Sequence, residues 1–312
     1  MNRPRRRRPD PSSHTSRTEA ALRRLELLVT RRLEGFLHGD HRGFGPGPGS
    51  EPGESRLYEP GDDVRLMDWS VTARTGVPHV RMPIADRELE TWLVVDLSAS
   101  LDFGTAEHTK HELAVIAAGV AGYLTQGGAS RIGAVLLHGD VLEVVPARRG
   151  RRHLQALLRH TAAPPFEARG SDLAAALRHV ERIARRRGLV VVISDFLSPT
   201  DWGGALARLG LRHDTLAVEV VDPREMALPD VGVVPLRDPE TGRTRMVDTA
   251  NPAFRTRYAE AAEAQRRDIA ATIRRSRAEH LQLRTDRDWL ADVVSFVEMR
   301  RRRRGAARGP AR

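Results

Sequence analysis

The chain has 312 residues, 40% of them hydrophobic and 29% charged, with a formal net charge of +10 and no cysteine. That length suits about two domains, or one large α/β unit with extensions. The absence of cysteine excludes disulfides, thiolate zinc sites and a cysteine nucleophile, and accords with a reducing compartment.

The longest run of apolar and small residues, Ala114 to Leu124, is too short to cross a bilayer. The Arg-rich start lacks the apolar segment of a signal peptide. A cytoplasmic protein without a membrane span is expected. The positive charge is confined to the ends: residues 1–10 hold five arginines and one aspartate, and residues 300–312 hold seven arginines and no acid. Between them, 39 basic residues face 40 acidic ones, so the body is close to neutral. Lys110 is the only lysine, and with abundant Ala, Gly and Pro this bias toward Arg reads as that of a GC-rich genome.

In chain order, residues 1–14 read as a disordered basic tail. Ser16 and Glu19 form a capping-box pattern, and Leu22, Leu25, Val29, Leu33 and Phe36 continue at helical spacing to about Leu37. The Gly43–Gly49 stretch GFGPGPG is not a phosphate loop, because its prolines remove N–H donors and no Gly-Lys-Ser/Thr follows. Val64 and Leu66, and then Val77 to Met82, are expected to form short strands around a turn at Thr75-Gly76. This segment, with the preceding helix, makes a β extension over 15–88. Its crowded charges, Arg56, Asp62, Asp63, Arg65, Asp68 and Arg74, read first as salt bridges and second as a docking surface.

Residues 89–299 alternate strand and helix. Leu93 to Ser100 (LVVDLSAS) and Leu189 to Asp195 (LVVVISD) are short continuous apolar runs ending in acids, the pattern of buried parallel strands. Helices are expected at Thr109–Gln126 (ended by Gly127-Gly128), Arg151–His160 (before a Pro164-Pro165 loop), Ser171–Arg187, Trp202–Leu209, Pro252–His280 and Trp289–Arg300. Further strands are expected at Arg131–His138, Val141–Val145, Thr215–Val221 and Leu281–Arg284, with a hairpin over Val231–Val247. The expected fold is a mainly parallel α/β sheet with helices on both faces, followed by a disordered Arg-rich tail at 300–312.

Ligands of open α/β sheets gather beyond the carboxyl ends of the strands. Asp96, Ser98, Ser100, Ser171 and Asp195 fall there on three loops, and five hard oxygens suit Mg²⁺ or Mn²⁺ with waters retained. Each residue alone is explained as well by helix capping, Ser171-Asp172 above all. Enzyme readings fare worse. Ser98 stands where an aspartyl phosphatase needs its second aspartate. His108, His111 and Glu112 are not in zinc-protease order, and no nucleophile–base pair is adjacent. A neutral body with 4% aromatics leaves nucleic acid only nonspecific contact with the Arg tails.

DLSAS, GSDLAAAL and VVVISDF resemble the elements of the metal-ion-dependent adhesion site in von Willebrand factor A domains. YEPGDDVRLMDWSVTAR, with its Tyr58 and Trp69, resembles the signature of the bacterial DUF58 family, whose members carry such a domain and are typically encoded beside MoxR-type AAA+ ATPases. The resemblance spans roughly Leu22 to Val297. It implies a Rossmann-like, von Willebrand factor A-type sheet, with Ser98, Ser100 and Ser171 as direct metal ligands and Asp96 and Asp195 acting through metal-bound water. Ser171 replaces the usual Thr, and Phe196 the glycine usual after the second aspartate. The transmembrane helices of longer relatives are missing, which implies a soluble form. The implied role is a non-enzymatic adaptor joining a MoxR-type ATPase to an unknown client. Two alternatives remain: a scaffold docking through Tyr58, Asp62, Asp63, Arg65, Asp68, Trp69 and Arg74 with a vestigial metal site, and a metal-dependent phosphoester hydrolase.

Overall fold

The structure is a computed structural model that describes Leu27 and residues 55–81, 89–126, 130–139, 141–163, 171–237 and 242–306. The expected N-terminal tail and helix (Leu27 apart), the Gly43–Gly49 connector, Gly127-Gly128 and the Pro164-Pro165 loop lie outside the described residues.

Strand β1 (Ser55–Leu57) pairs antiparallel with β2 (His79–Arg81). The expected strand at Val64 and Leu66 is instead a 3-10 turn, Val64–Leu66, followed by helix α1 (Trp69–Thr75). Carboxylate capping outweighs the β-preference of these apolar residues. The Asp63 side chain accepts from Arg65 N, and Asp68 accepts from Ser70 N and Val71 N, which satisfies donors that a turn or helix start would leave open. Gly76, at φ 71°, closes α1 in the left-handed conformation that glycine adopts without strain.

The main unit follows as β3 (Glu90–Asp96), α2 (Lys110–Thr125), β4 (Arg131–His138), β5 (Val141–Arg148), α3 (Arg151–Thr161), α4 (Leu173–Ile183) and β6 (Leu189–Ser194). Next come α5 (Trp202–Arg212), β7 (Asp214–Val221), a short α6 (Pro223–Met226), the ribbon β8 (Val233–Arg237) and β9 (Thr244–Asp248), α7 (Pro252–Arg275), β10 (Glu279–Arg284) and α8 (Trp289–Ala306). The six-stranded sheet has the order β10-β7-β6-β3-β4-β5 and is parallel except for β5, an antiparallel edge strand on β4. This is the expected Rossmann-like, mainly parallel α/β sheet with helices on both faces.

Several boundaries differ from expectation, among them the following three. Helix α4 begins at Leu173 because Asp172 is its N-cap, accepting from Ala175 N at 2.8 Å, and this leaves Ser171 outside the helix. Helix α7 stops at Arg275, where Ser276 caps it and Arg277 turns left-handed at φ 59°, so β10 starts at Glu279. Helix α8 continues to Ala306, which makes the first arginines after Arg300 helical.

The core lies on both faces of the sheet. Side chains alternate along β3: Leu93 and Val95 pack with α2, α3 and α8, whereas Trp92 and Val94 pack with α4, α5 and α7. Burial on both faces is why these strands read as unbroken apolar runs. Strand β3 is followed in the chain by its neighbour β4 on one side, whereas β6 on the other side leads away to β7. The crevice between the carboxyl ends of β3 and β6 is therefore the topological switch point of the sheet.

Candidate metal centre

Asp96 is the last residue of β3, and Asp195 directly follows β6, so the two carboxylates meet at that crevice. Both are about 1% exposed, and Ser98, Ser100 and Ser171 are buried beside them. The chain turns after Asp96 through a 3-10 turn at Ala99–Leu101, which carries Ser100 back toward the sheet. Asp96 Oδ1 accepts from Ser98 N at 3.1 Å, and Asp96 Oδ2 accepts from Ser194 Oγ at 2.8 Å and Ser171 Oγ at 3.4 Å. Ser98 Oγ and Ser100 Oγ are 3.1 Å apart, and Asp195 Oδ1 accepts from Leu197 N at 3.0 Å.

The structure thus brings Asp96, Ser98, Ser100, Ser171 and Asp195 together, all buried, at one crevice. The Ser171 hydroxyl gives its proton to Asp96, and the Ser98 and Ser100 hydroxyls bond to each other. A hydroxyl whose proton is so engaged keeps its lone pairs free to face a cation. Neutral hydroxyls backed by two carboxylates are hard-oxygen donors, so the residues fit Mg²⁺ or Mn²⁺. Among the described residues, no group of three or more His, Asp or Glu side chains is placed to hold a metal ion.

The electrostatics of the two acids diverge. Burial, and then the charge of Asp195, push the Asp96 carboxyl up to about 6. Burial acts on Asp195 in the same direction, but the Lys110 ammonium and the hydrogen bonds from Lys110, Leu197 N and Ser100 hold it below the usual carboxylate range. The result is one carboxylate that is protonated easily and one that is locked in its ionised form.

Lys110 was not apparent as a site residue from sequence. It opens α2 and is fully buried, with its Nζ 2.8 Å from Asp195 Oδ2 and 2.5 Å from Glu225 Oε1. Arg266 of α7 donates to Glu225 Oε2 at 2.9 Å, Glu219 Oε1 at 3.0 Å and the Asp195 carbonyl at 2.9 Å. Glu219 in turn bonds His280 Nε2 at 2.9 Å and Gln282 Nε2 at 3.1 Å. A chain of alternating charge therefore runs from Glu219 through Arg266, Glu225 and Lys110 to Asp195. The one available signal was compositional: Lys110 is the single lysine among 51 basic residues.

Phe196 follows Asp195 at φ 58°, the left-handed conformation that favours glycine, and its ring is buried 5.0 Å from that of Trp202. The docking candidates lie apart in sequence, on the β1–α1–β2 unit. Asp62 pairs with Arg56 at 2.5 Å, Asp63 pairs with Arg65 at 2.8 Å, and Tyr58 N donates to Pro78 O. Asp68 is a buried cap that also accepts from Ser55 Oγ at 2.7 Å, so its role is structural. Trp69 is 70% exposed, and Arg74 is exposed as well.

The fold is a mainly parallel α/β sheet whose switch point is lined by oxygen side chains. Residues 54–268 match the family described as "Protein of unknown function DUF58", and the chain belongs to that family. It is 57% identical over 285 residues to an uncharacterized protein of Mycobacterium tuberculosis, covering 91% of this chain and 90% of that one. It is also 41% identical over 100 residues, 31% of this chain and 90% of the other, to a Paracoccus denitrificans protein named as lying in the moxR 3' region. Among solved structures, the chain is similar to the conserved hypothetical protein BatB from Bacteroides thetaiotaomicron (TM-score 0.44, 15% identity, 68% of this chain and 98% of that one). It is similar also to the SpRpn10 VWA domain (TM-score 0.37, 12% identity, 66% of this chain and 94% of that one). No described helix is long and apolar enough to cross a membrane.

Proposed function

We propose that this protein is a non-enzymatic, divalent-cation-dependent interaction module, an adaptor between a MoxR-type AAA+ ATPase and a client whose assembly or maturation it serves. The observation that carries this reading is the convergence of three buried serine hydroxyls and two buried carboxylates at the switch point, with Ser171 bonded to Asp96 and Ser98 to Ser100. Ser98, Ser100 and Ser171 would hold Mg²⁺ or Mn²⁺ directly, and Asp96 and Asp195 through water. A bound cation supplies an electrophilic point for an acidic side chain of the partner. The rest of the work falls to this chain: Asp96 orients the Ser171 hydroxyl, while Lys110 and Leu197 N fix Asp195. The ATPase as partner is supported by the Paracoccus relative, named for its place beside moxR.

The test is capture of a MoxR-type ATPase by the full chain in Mg²⁺. Asp96→Ala and chelation of the wild type should each abolish it, and undiminished capture in both overturns the metal-bridged reading. A second reading, docking through the β1–α1–β2 unit, is favoured by the exposed apolar side chains of Trp69, Val64 and Leu57. It predicts that Trp69→Ala loses the ATPase while Asp96→Ala keeps it.

A further inference from the structure

A fully buried ammonium stands directly behind the candidate centre. Lys110 Nζ donates to Asp195 Oδ2 at 2.8 Å and to Glu225 Oε1, neither the lysine nor Asp195 reaching solvent. We infer that Lys110 sets the cation affinity of this centre: by neutralising Asp195 from inside the protein, it weakens the hold of the five oxygens on a divalent ion that arrives alone. The inference deepens the proposed function and rests on its metal reading.

The argument is one of charge. Two carboxylates facing a dication would balance it. Behind the centre, Lys110 is shared by Asp195 and Glu225, and Arg266 by Glu225 and Glu219. Of these carboxylates only Asp195 belongs to the centre, and the ammonium bonds it directly, which leaves Asp96 as the centre's carboxylate with no cation bonded to it among the described residues. At this depth neither solvent nor salt screens the repulsion between ammonium and metal. Lys110 cannot swing aside, because leaving its two carboxylates would strand a buried charge. An ion under-neutralised in this way is held best when a further anionic oxygen joins it from outside.

Only one lysine occurs in a chain otherwise served by arginine, and it occupies this place. A compact ammonium can bond Asp195 and Glu225 from one nitrogen, whereas a planar guanidinium spreads its donors over a wider fork.

The experiment is titration of the full chain with Mn²⁺ alone, read as loss of the free-ion electron paramagnetic resonance signal. Wild type, Asp96→Ala, Lys110→Met and the double variant Lys110→Met/Glu225→Gln are compared, with folding followed by circular dichroism melts. Both lysine variants should bind Mn²⁺ about tenfold or more tighter than wild type, a gain that mere loss of packing would not produce. Should Lys110→Met fail to fold, the double variant, which removes the ion pair as a unit, decides. If wild type binds, Asp96→Ala does not, and the folded lysine variants bind no tighter than wild type, the inference falls while the metal reading stands. If neither wild type nor the lysine variants bind Mn²⁺, the metal reading falls and takes the inference with it.

Discussion

The Ser194 hydroxyl donates to Asp96 Oδ2 across 2.8 Å, from the end of β6 to the end of β3. It also accepts from Phe196 N at 2.9 Å, so one buried hydroxyl ties both loops of the centre together. Its bond to Asp96 opposes the upward push of burial on that carboxyl. Ser194→Ala should therefore move the Asp96 titration higher than about 6, read from carboxyl-carbon NMR shifts. Loss of a buried hydrogen bond to a charged group should also cost about 1.5–3 kcal/mol in urea unfolding. A titration that stays in place would show that Ser194 does not act on Asp96.

Phe196 combines a buried ring with left-handed backbone at φ 58°. That conformation costs an L-residue about 1–2 kcal/mol and glycine little. Removing the ring should cost about 3–5 kcal/mol whichever small residue replaces it. Phe196→Gly should nevertheless be about 1 kcal/mol more stable than Phe196→Ala, the reverse of their order in helices. Paired denaturant melts give this difference directly, and alanine the more stable would contradict the strain.

The sheet was legible because β3 and β6 are buried on both faces, so Leu93 to Val95 and Leu189 to Ile193 advertise themselves as unbroken apolar runs. Asp96, Ser98, Ser100 and Asp195 stood out by their place at the ends of those strands, and Ser171 by its place at the start of the helix before β6. The β1–α1–β2 unit was misread because Asp63 and Asp68 act as caps, and a cap is a local hydrogen bond that apolar spacing does not encode. Lys110 escaped for a different reason. It bonds Asp195, 85 residues away, and nothing near it in the chain marks it as different from a helix-start lysine on the surface. Ser194 was hidden inside a strand pattern, where a small polar residue looks incidental.

Asp222 directly follows β7, fully buried, and joins three segments, accepting from Thr105 N, Thr105 Oγ1, Arg224 N and Thr285 Oγ1 at 2.7–2.8 Å. Burial alone would raise its pKa, but these hydrogen bonds hold it below the usual carboxylate range. The folded state thus binds a proton less readily than the unfolded one, whose carboxyl titrates near 3.8. The stabilisation is fully present above about pH 5 and is lost as pH falls through 3.8 toward the folded value. Asp222→Asn should lower stability by about 2–3 kcal/mol near neutral pH, with the deficit shrinking by about pH 3. Urea melts of both proteins across that range check the sign. A deficit independent of pH would assign the loss to packing instead.

Under the proposed function, a cation bound only by the folded chain must raise its stability. At a hundredfold excess over the dissociation constant the gain is about 2.7 kcal/mol, a rise in melting temperature of about 5–10 °C for a domain of this size. Asp96→Ala should show no such rise. Trp69→Ala should show all of it, because that side chain is exposed on α1 of the separate β1–α1–β2 unit. Ser171 gives the sharpest comparison, since it lies outside α4 with its hydroxyl on Asp96. Ser171→Thr keeps the hydroxyl and adds a methyl that stiffens the rotamer, so the rise should be kept or enlarged. Ser171→Val adds the same bulk without the oxygen and should lose much of it. Equal rises in the two variants would mean that Ser171 supports the loop and does not touch the ion.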